Sequence, residues 1–229
     1  MRPVRTFAAT AAVLVAFNVA RGVGLFGDHA DLAALGLLVV LALVAVVGRV
    51  DAETLGLERR HLGSGLRWGL VVLALVAAVV AVAALVPATS GVLDDDRAQV
   101  PYDHMLWEVG FGILVATVLP EELAFRGLLL GTGMRAWGPW RGALASSALF
   151  GLWHISPTLN TMADNAALDG LSSSTPGRVL VVLGNVAVTF VAGLVFSWLR
   201  IRSKSLLAPI VAHLSTNGVA FVAAWLVRR

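Results

Sequence analysis

Residues 66–86 read "LRWGLVVLALVAAVVAVAALV", and beyond Arg67 the run contains no charge, no proline and no alternation of apolar with polar residues. At 1.5 Å per residue, a helix of this length spans about 30 Å, the thickness of the hydrocarbon layer of a bilayer. Backbone groups placed there must be satisfied internally, which leaves helices or closed barrels. A barrel needs short alternating strands and aromatic girdles, and this run has neither.

The rest of the chain repeats the pattern. Of its 229 residues, 58% are hydrophobic and 14% charged, and the mean hydropathy is +0.85, more apolar material than a water-soluble core of this size would hide. Seven spans are expected: Thr6 to Phe26, Asp31 to Gly48, Leu66 to Val86, His104 to Met134, Arg141 to Ile155, Arg178 to Leu199 and Leu206 to Val227. The fold class is therefore all-α, a polytopic transmembrane bundle of seven to eight spans with its site between the later helices. Residues 1–104 supply N-terminal helices and 105–229 a later helical core. Pro120 falls inside the fourth run, where it favours a kink or a new helix start. The first run has a basic start but no small-residue cleavage pattern, so it reads as a retained helix.

Arginine and lysine gather before the first span and in the second, fourth and sixth connections, which places those ends and the N-terminus in the cytoplasm. The third connection, with Asp94 to Asp96, and the long fifth one, 156–177, then face outward. So does the tail with Arg228 and Arg229, against the charge rule. The sequence pI near 10.5 reflects these span ends and headgroup contact, not nucleic-acid binding. Trp68, Trp107, Trp137, Trp140 and Trp225 lie near span ends, the usual place for interfacial anchors. With no cysteine, disulfides and thiolate metal sites are excluded.

"VLPEELAFRGLLL", residues 118–130, breaks the apolar pattern. Ionisable groups at membrane depth are costly and need a partner or a task. Glu122 and Arg126, four apart with the acid first, can pair on one helical face; a purely structural pair is the alternative reading. Glu121 lies about 100° further round and faces another neighbour. His154 stands near the end of the fifth span, and His213 and Asn217 share a face of the seventh. Counted from the basic ends, Glu121 and Glu122, His154 and Asn217 lie at depths of roughly 20, 20 and 18 Å, with His213 at roughly 12 Å. A carboxylate and an imidazole around a wet pocket can activate a water. A second imidazole and an amide can donate to an oxyanion. This set fits peptide hydrolysis.

The residues also carry a resemblance. "EELAFR" fits EExxxR, "FGLWH" (Phe150 to His154) fits FxxxH and "HLSTN" (His213 to Asn217) fits HxxxN. Their order on successive helices resembles the CAAX prenyl protease type II and bacteriocin-processing (Abi) family of intramembrane endopeptidases, over about Val109 to Val227. The resemblance implies that Glu121 and His154 activate the water, that His213 and Asn217 form the oxyanion hole, and that Glu122 and Arg126 support the site. No cofactor is favoured, with zinc as the alternative because Glu and His can ligate it. The implied substrate is a membrane-associated peptide or lipopeptide cut near its C-terminus or in a leader. Partners are membrane lipid and that substrate, not nucleic acid. Composition points to the cytoplasmic membrane of a GC-rich bacterium. The competing classes are a proton- or ion-coupled transporter, against which stands the absence of repeated halves, and a catalytically silent scaffold.

Overall fold

The computed structural model describes residues 2–86, 93, 95–162, 170 and 172–229, and among these it contains helices and no strand. The elements are α1 (Arg2–Gly22), α2 (Ala30–Gly48), a single turn α3 (Ala52–Leu55), α4 (Leu62–Leu85), α5 (102–137), α6 (Pro139–Trp153), α7 (Ile155–Thr161), α8 (Thr175–Ser203) and α9 (Leu207–Val227). The stretches Arg2–Gly22, Ala30–Gly48, Ala52–Leu85, Thr175–Ser203 and Leu207–Val227 are long and apolar enough to cross a membrane. The protein is an integral membrane protein built as an all-α bundle. The remaining two expected spans, α5 and α6, carry EExxxR and FxxxH, and HxxxN lies on α9.

Pro120 neither ends α5 nor starts a new helix. The helix runs without interruption because it is wound as a π-helix over Glu108–Val118 and again over Leu123–Leu129, with an ordinary α-helical turn, Leu119–Glu122, between them. The wider π turn, bonded five residues back, absorbs the missing N–H and the ring of a proline. Thr117 follows the same spacing, donating its hydroxyl to the carbonyl of Gly112 at 3.0 Å. The fifth span also departs from expectation. It breaks at His154, whose φ of −81° and ψ of −2° cap α6 and begin α7.

α1, α2, α5 and α6 share one core. Leu14, Leu37, Leu41, Phe125, Leu128, Phe150 and Trp153 form a single buried cluster. α4 packs against α9 through two glycines four residues apart, a small-residue spacing that lets backbones approach in lipid. A Cβ at Gly65 would sit 2.5 Å from the Ser205 hydroxyl, and one at Gly69 2.6 Å from the Val211 Cβ. Trp225, expected as an interfacial anchor, is instead 7% exposed, and its indole donates to the Val100 carbonyl at 2.9 Å.

The basic ends meet on one side. Arg135 Nη2 pairs with Asp51 Oδ2 at 2.7 Å, and Arg200 Nη2 donates to the carbonyls of Glu53 and Thr54 at 3.0 and 3.1 Å. The hydroxyl and backbone N–H of Thr54, with Arg135 beyond them, hold the Asp51 carboxyl below its ordinary value. At the opposite end Arg228 Nη1 meets Asp96 Oδ1 at 2.8 Å, so the basic tail has an acidic partner in the third connection. Asp94 lies outside the described residues, as do 163–169 and 171 of the fifth connection.

Candidate active site

Glu121 and Glu122 occupy the α-helical turn between the two π-wound stretches of α5, and both are buried, at 6% and 0% exposure. Glu122 Oε1 accepts from Arg126 Nη1 at 2.9 Å, as the spacing predicts. The same oxygen also accepts from His213 Nδ1 of α9 at 2.8 Å. The other ring nitrogen, His213 Nε2, faces Glu121 Oε2 across 3.9 Å. His213 therefore stands between the two carboxylates, and Arg126, Glu122, His213 and Glu121 form one buried chain across two helices.

Arg126 is fully buried, and its Nε and Nη2 have no hydrogen-bond partner. Aromatic faces take the place of acceptors. Its Cζ lies 3.9 Å from the ring centre of Phe150, 4.9 Å from Phe196 and 5.9 Å from Phe125, and a desolvated guanidinium over a ring is attracted by the ring quadrupole. Phe150 and Phe196 also flank the His213 imidazole at 5.9 and 5.3 Å. The first residue of FxxxH thus does more than fill space.

The sequence reading missed Trp153. Its indole Nε1 donates to Glu121 Oε1 at 2.9 Å, which answers where Glu121 points. Glu121 Oε2 is left with no hydrogen-bond partner. Glu121 and Trp153 line a cavity of about 50 Å³ together with Thr117, Pro120 and Phe17. This is room for a water or two, since a water's share of liquid volume is about 30 Å³. The signal was present in the sequence. A tryptophan at the depth of the motifs needs an acceptor for its N–H, and Glu121 was an acid at similar depth without a partner.

His154 sits one residue further on, at the break between α6 and α7. Its Nδ1 donates to the Phe150 carbonyl at 2.8 Å; a carbonyl can only accept, so the neutral ring keeps its lone pair on Nε2. Phe150 packs against His154 at 4.6 Å between ring centres as well as against His213. Among the described residues no hydrogen bond or ion pair joins His154 to Glu121 or His213. His154 lines a separate groove of about 510 Å³ between α7 and α8, with Thr158 and Asn185 as its polar neighbours. Asn217 lies on a π-wound turn of α9, Ser215–Val219. It is half-buried, and its Oδ1 accepts weakly from the Thr216 hydroxyl at 3.4 Å. The structure thus joins four of the six motif residues by direct contact, and among the described residues no hydrogen bond or ion pair ties His154 or Asn217 to them.

A family profile described as type II CAAX prenyl endopeptidase Rce1-like matches residues 103–219, more than half of the chain. The protein belongs to this family. Searches of curated proteins and of solved structures returned no match. The Rce1-like region opens at the start of α5 and closes at the end of the π-wound turn that carries Asn217, so it contains every motif residue and Trp153, while α1 to α4 precede it. At family level this Rce1-like protein is a CAAX-type intramembrane protease, a hydrolase of peptide bonds.

Proposed function

We propose that the protein is a glutamate-dependent intramembrane endopeptidase acting on a membrane-associated peptide or lipopeptide, near its C-terminus or in a leader. The observation that carries this reading is the buried chain Arg126–Glu122–His213, which ends with Nε2 3.9 Å from an unpaired oxygen of Glu121. A purely structural ion pair would end at Glu122 and Arg126. In this reading, Glu121 Oε2 accepts a proton from a water that attacks the scissile carbonyl, and His154 is the second partner of that water through its free Nε2. His213 donates from Nε2 to the oxyanion, with the Asn217 amide as second donor. Because Nδ1 already donates to Glu122, His213 acts as an imidazolium. Two carboxylates, one guanidinium and one imidazolium then sum to zero charge, which suits a site withdrawn from water. On collapse of the tetrahedral intermediate the C–N bond breaks, and the leaving amine takes the proton that Glu121 accepted. The bacterial cytoplasmic membrane, with the N-terminus in the cytoplasm, is the proposed location.

Zinc chemistry would require three protein ligands close together. Among the described residues no group of three His, Asp or Glu side chains is arranged to hold a metal ion, and Glu122 and His213 Nδ1 are engaged with each other, so no step is routed through a metal. The test is cleavage of membrane-tethered peptides by the purified protein in detergent. Glu121→Gln should lower it by about 10³-fold, His154→Ala should also lower it sharply, and a chelator should leave it unchanged. Cleavage that survives both substitutions overturns the reading, and chelator inhibition reversed by zinc replaces it with a metal-dependent one.

A further inference from the structure

Two tryptophan indoles make hydrogen bonds among the described residues. That of Trp225 goes to a backbone carbonyl, that of Trp153 to a carboxylate that the proposed reaction uses. Trp153 is held in place from outside its own helix. Its ring lies nearly parallel to Phe17 of α1, 6.0 Å between centres and 14° between planes, and stands edge-on to Phe125 of α5 at 5.8 Å. Its carbonyl accepts from Asn18 Nδ2 of α1 at 2.7 Å. Only 6% of the residue is exposed. A carboxylate is a two-pronged acceptor on a rotatable stem, so anchoring one oxygen sets the position of the other. With Oε1 held by the indole, Oε2 is the oxygen turned toward His213.

We infer that Trp153 is a positioning residue for Glu121, and that α1, which lies outside the family-matched region, holds it through Phe17 and Asn18. The inference rests on the proposed role of Glu121 as base. An unanchored Glu121 samples rotamers in which neither oxygen meets a water in line with His213, so removal of the N–H lowers the rate of the chemical step and leaves substrate binding unchanged.

The test replaces Trp153 by Phe and, by unnatural amino-acid incorporation, by β-(3-benzothienyl)alanine, which keeps the two-ring shape and puts sulfur in place of N–H. Both variants should lose about 10- to 100-fold in kcat, the worth of a hydrogen bond to a charged group, with KM changed by less than about twofold. The benzothienyl form, which preserves packing and leaves only Glu121 Oε1 unpaired, should stay folded and melt a few degrees below the wild type. A benzothienyl variant with wild-type kcat, or with its loss confined to KM, overturns the inference. Glu121→Gln run in parallel separates the two failures: if it is inactive while the benzothienyl form is fully active, only the role of Trp153 falls. If Glu121→Gln cleaves normally, the reading of Glu121 as base falls with it. A readout independent of substrate is the indole ¹⁵N–¹H resonance of Trp153, assigned by its loss in Trp153→Phe. It should move upfield in Glu121→Leu, and a resonance that stays in place shows that the hydrogen bond is not made.

Discussion

α4 and the centre of α5 make opposite use of the bilayer. α4 is the more apolar, yet only Gly65 and Gly69 are buried along it, and most of its leucines and valines face outward, with Leu75 62% exposed. In α5 every residue from Ala124 to Gly133 is buried, and so are Glu121 and Glu122. In water the most hydrophobic segment marks the core. In lipid, hydrophobicity gives no preference for the interior, because the surrounding tails are as apolar as leucine. The interior is marked by glycine at close approaches and by polar groups that find their partners only there.

The contrast can be broken most severely at the chemistry. Glu121→Gln should lower cleavage by about 10³-fold, within the range of a lost general base, while Leu75→Ala on the lipid face of α4 should leave the rate and the melting temperature unchanged; a rate assay with both variants checks it. Next in size is Arg126→Leu, which leaves Glu122 buried without its cation. Loss of one partner of a buried pair costs about 3–5 kcal/mol, measurable as a large drop in the detergent melting temperature. Gly69→Leu tests the close approach of α4 to α9. The new side chain meets Val211 with no room to spare, and overpacking of this kind costs about 1–3 kcal/mol, read by the same melt. The smallest effect is expected at Asp51, the cap that ties the α3 turn to the end of α5. Asp51→Ala should cost about 1 kcal/mol, as loss of a helix cap does. Its carboxyl lies below the ordinary 3.8 when folded, so its contribution is complete above that value and fades as the pH falls below it. Melts of wild type and variant should therefore converge in acid.

The spans are legible in sequence because length and apolarity follow from bilayer thickness, and the expected runs match the helices to within a few residues at most ends. Two boundaries were not. The break at His154 is made by backbone angles that no residue type demands there, and the passage of α5 through Pro120 depends on π winding, which leaves no mark in hydropathy. In the site, the Glu122–Arg126 contact follows from spacing alone. The insertion of His213 between both carboxylates does not, because depth counting placed it about a turn and a half short of them and gave no rotation for α9. Phe196 belongs to no motif, and its place over Arg126 depends on how α8 crosses α6, which depth and periodicity leave undetermined.

Leu14 and Phe17 of α1 and Leu37 and Leu41 of α2 touch the same cluster or ring system as Phe125, Phe150 and Trp153. The portion recognisable across the family begins only at residue 103. A chimera that grafts a relative's first two helices onto this chain would thus exchange half the wall behind the glutamate, and such hybrids should work only when residues 14, 17, 18, 37 and 41 travel with their counterparts in α5 and α6.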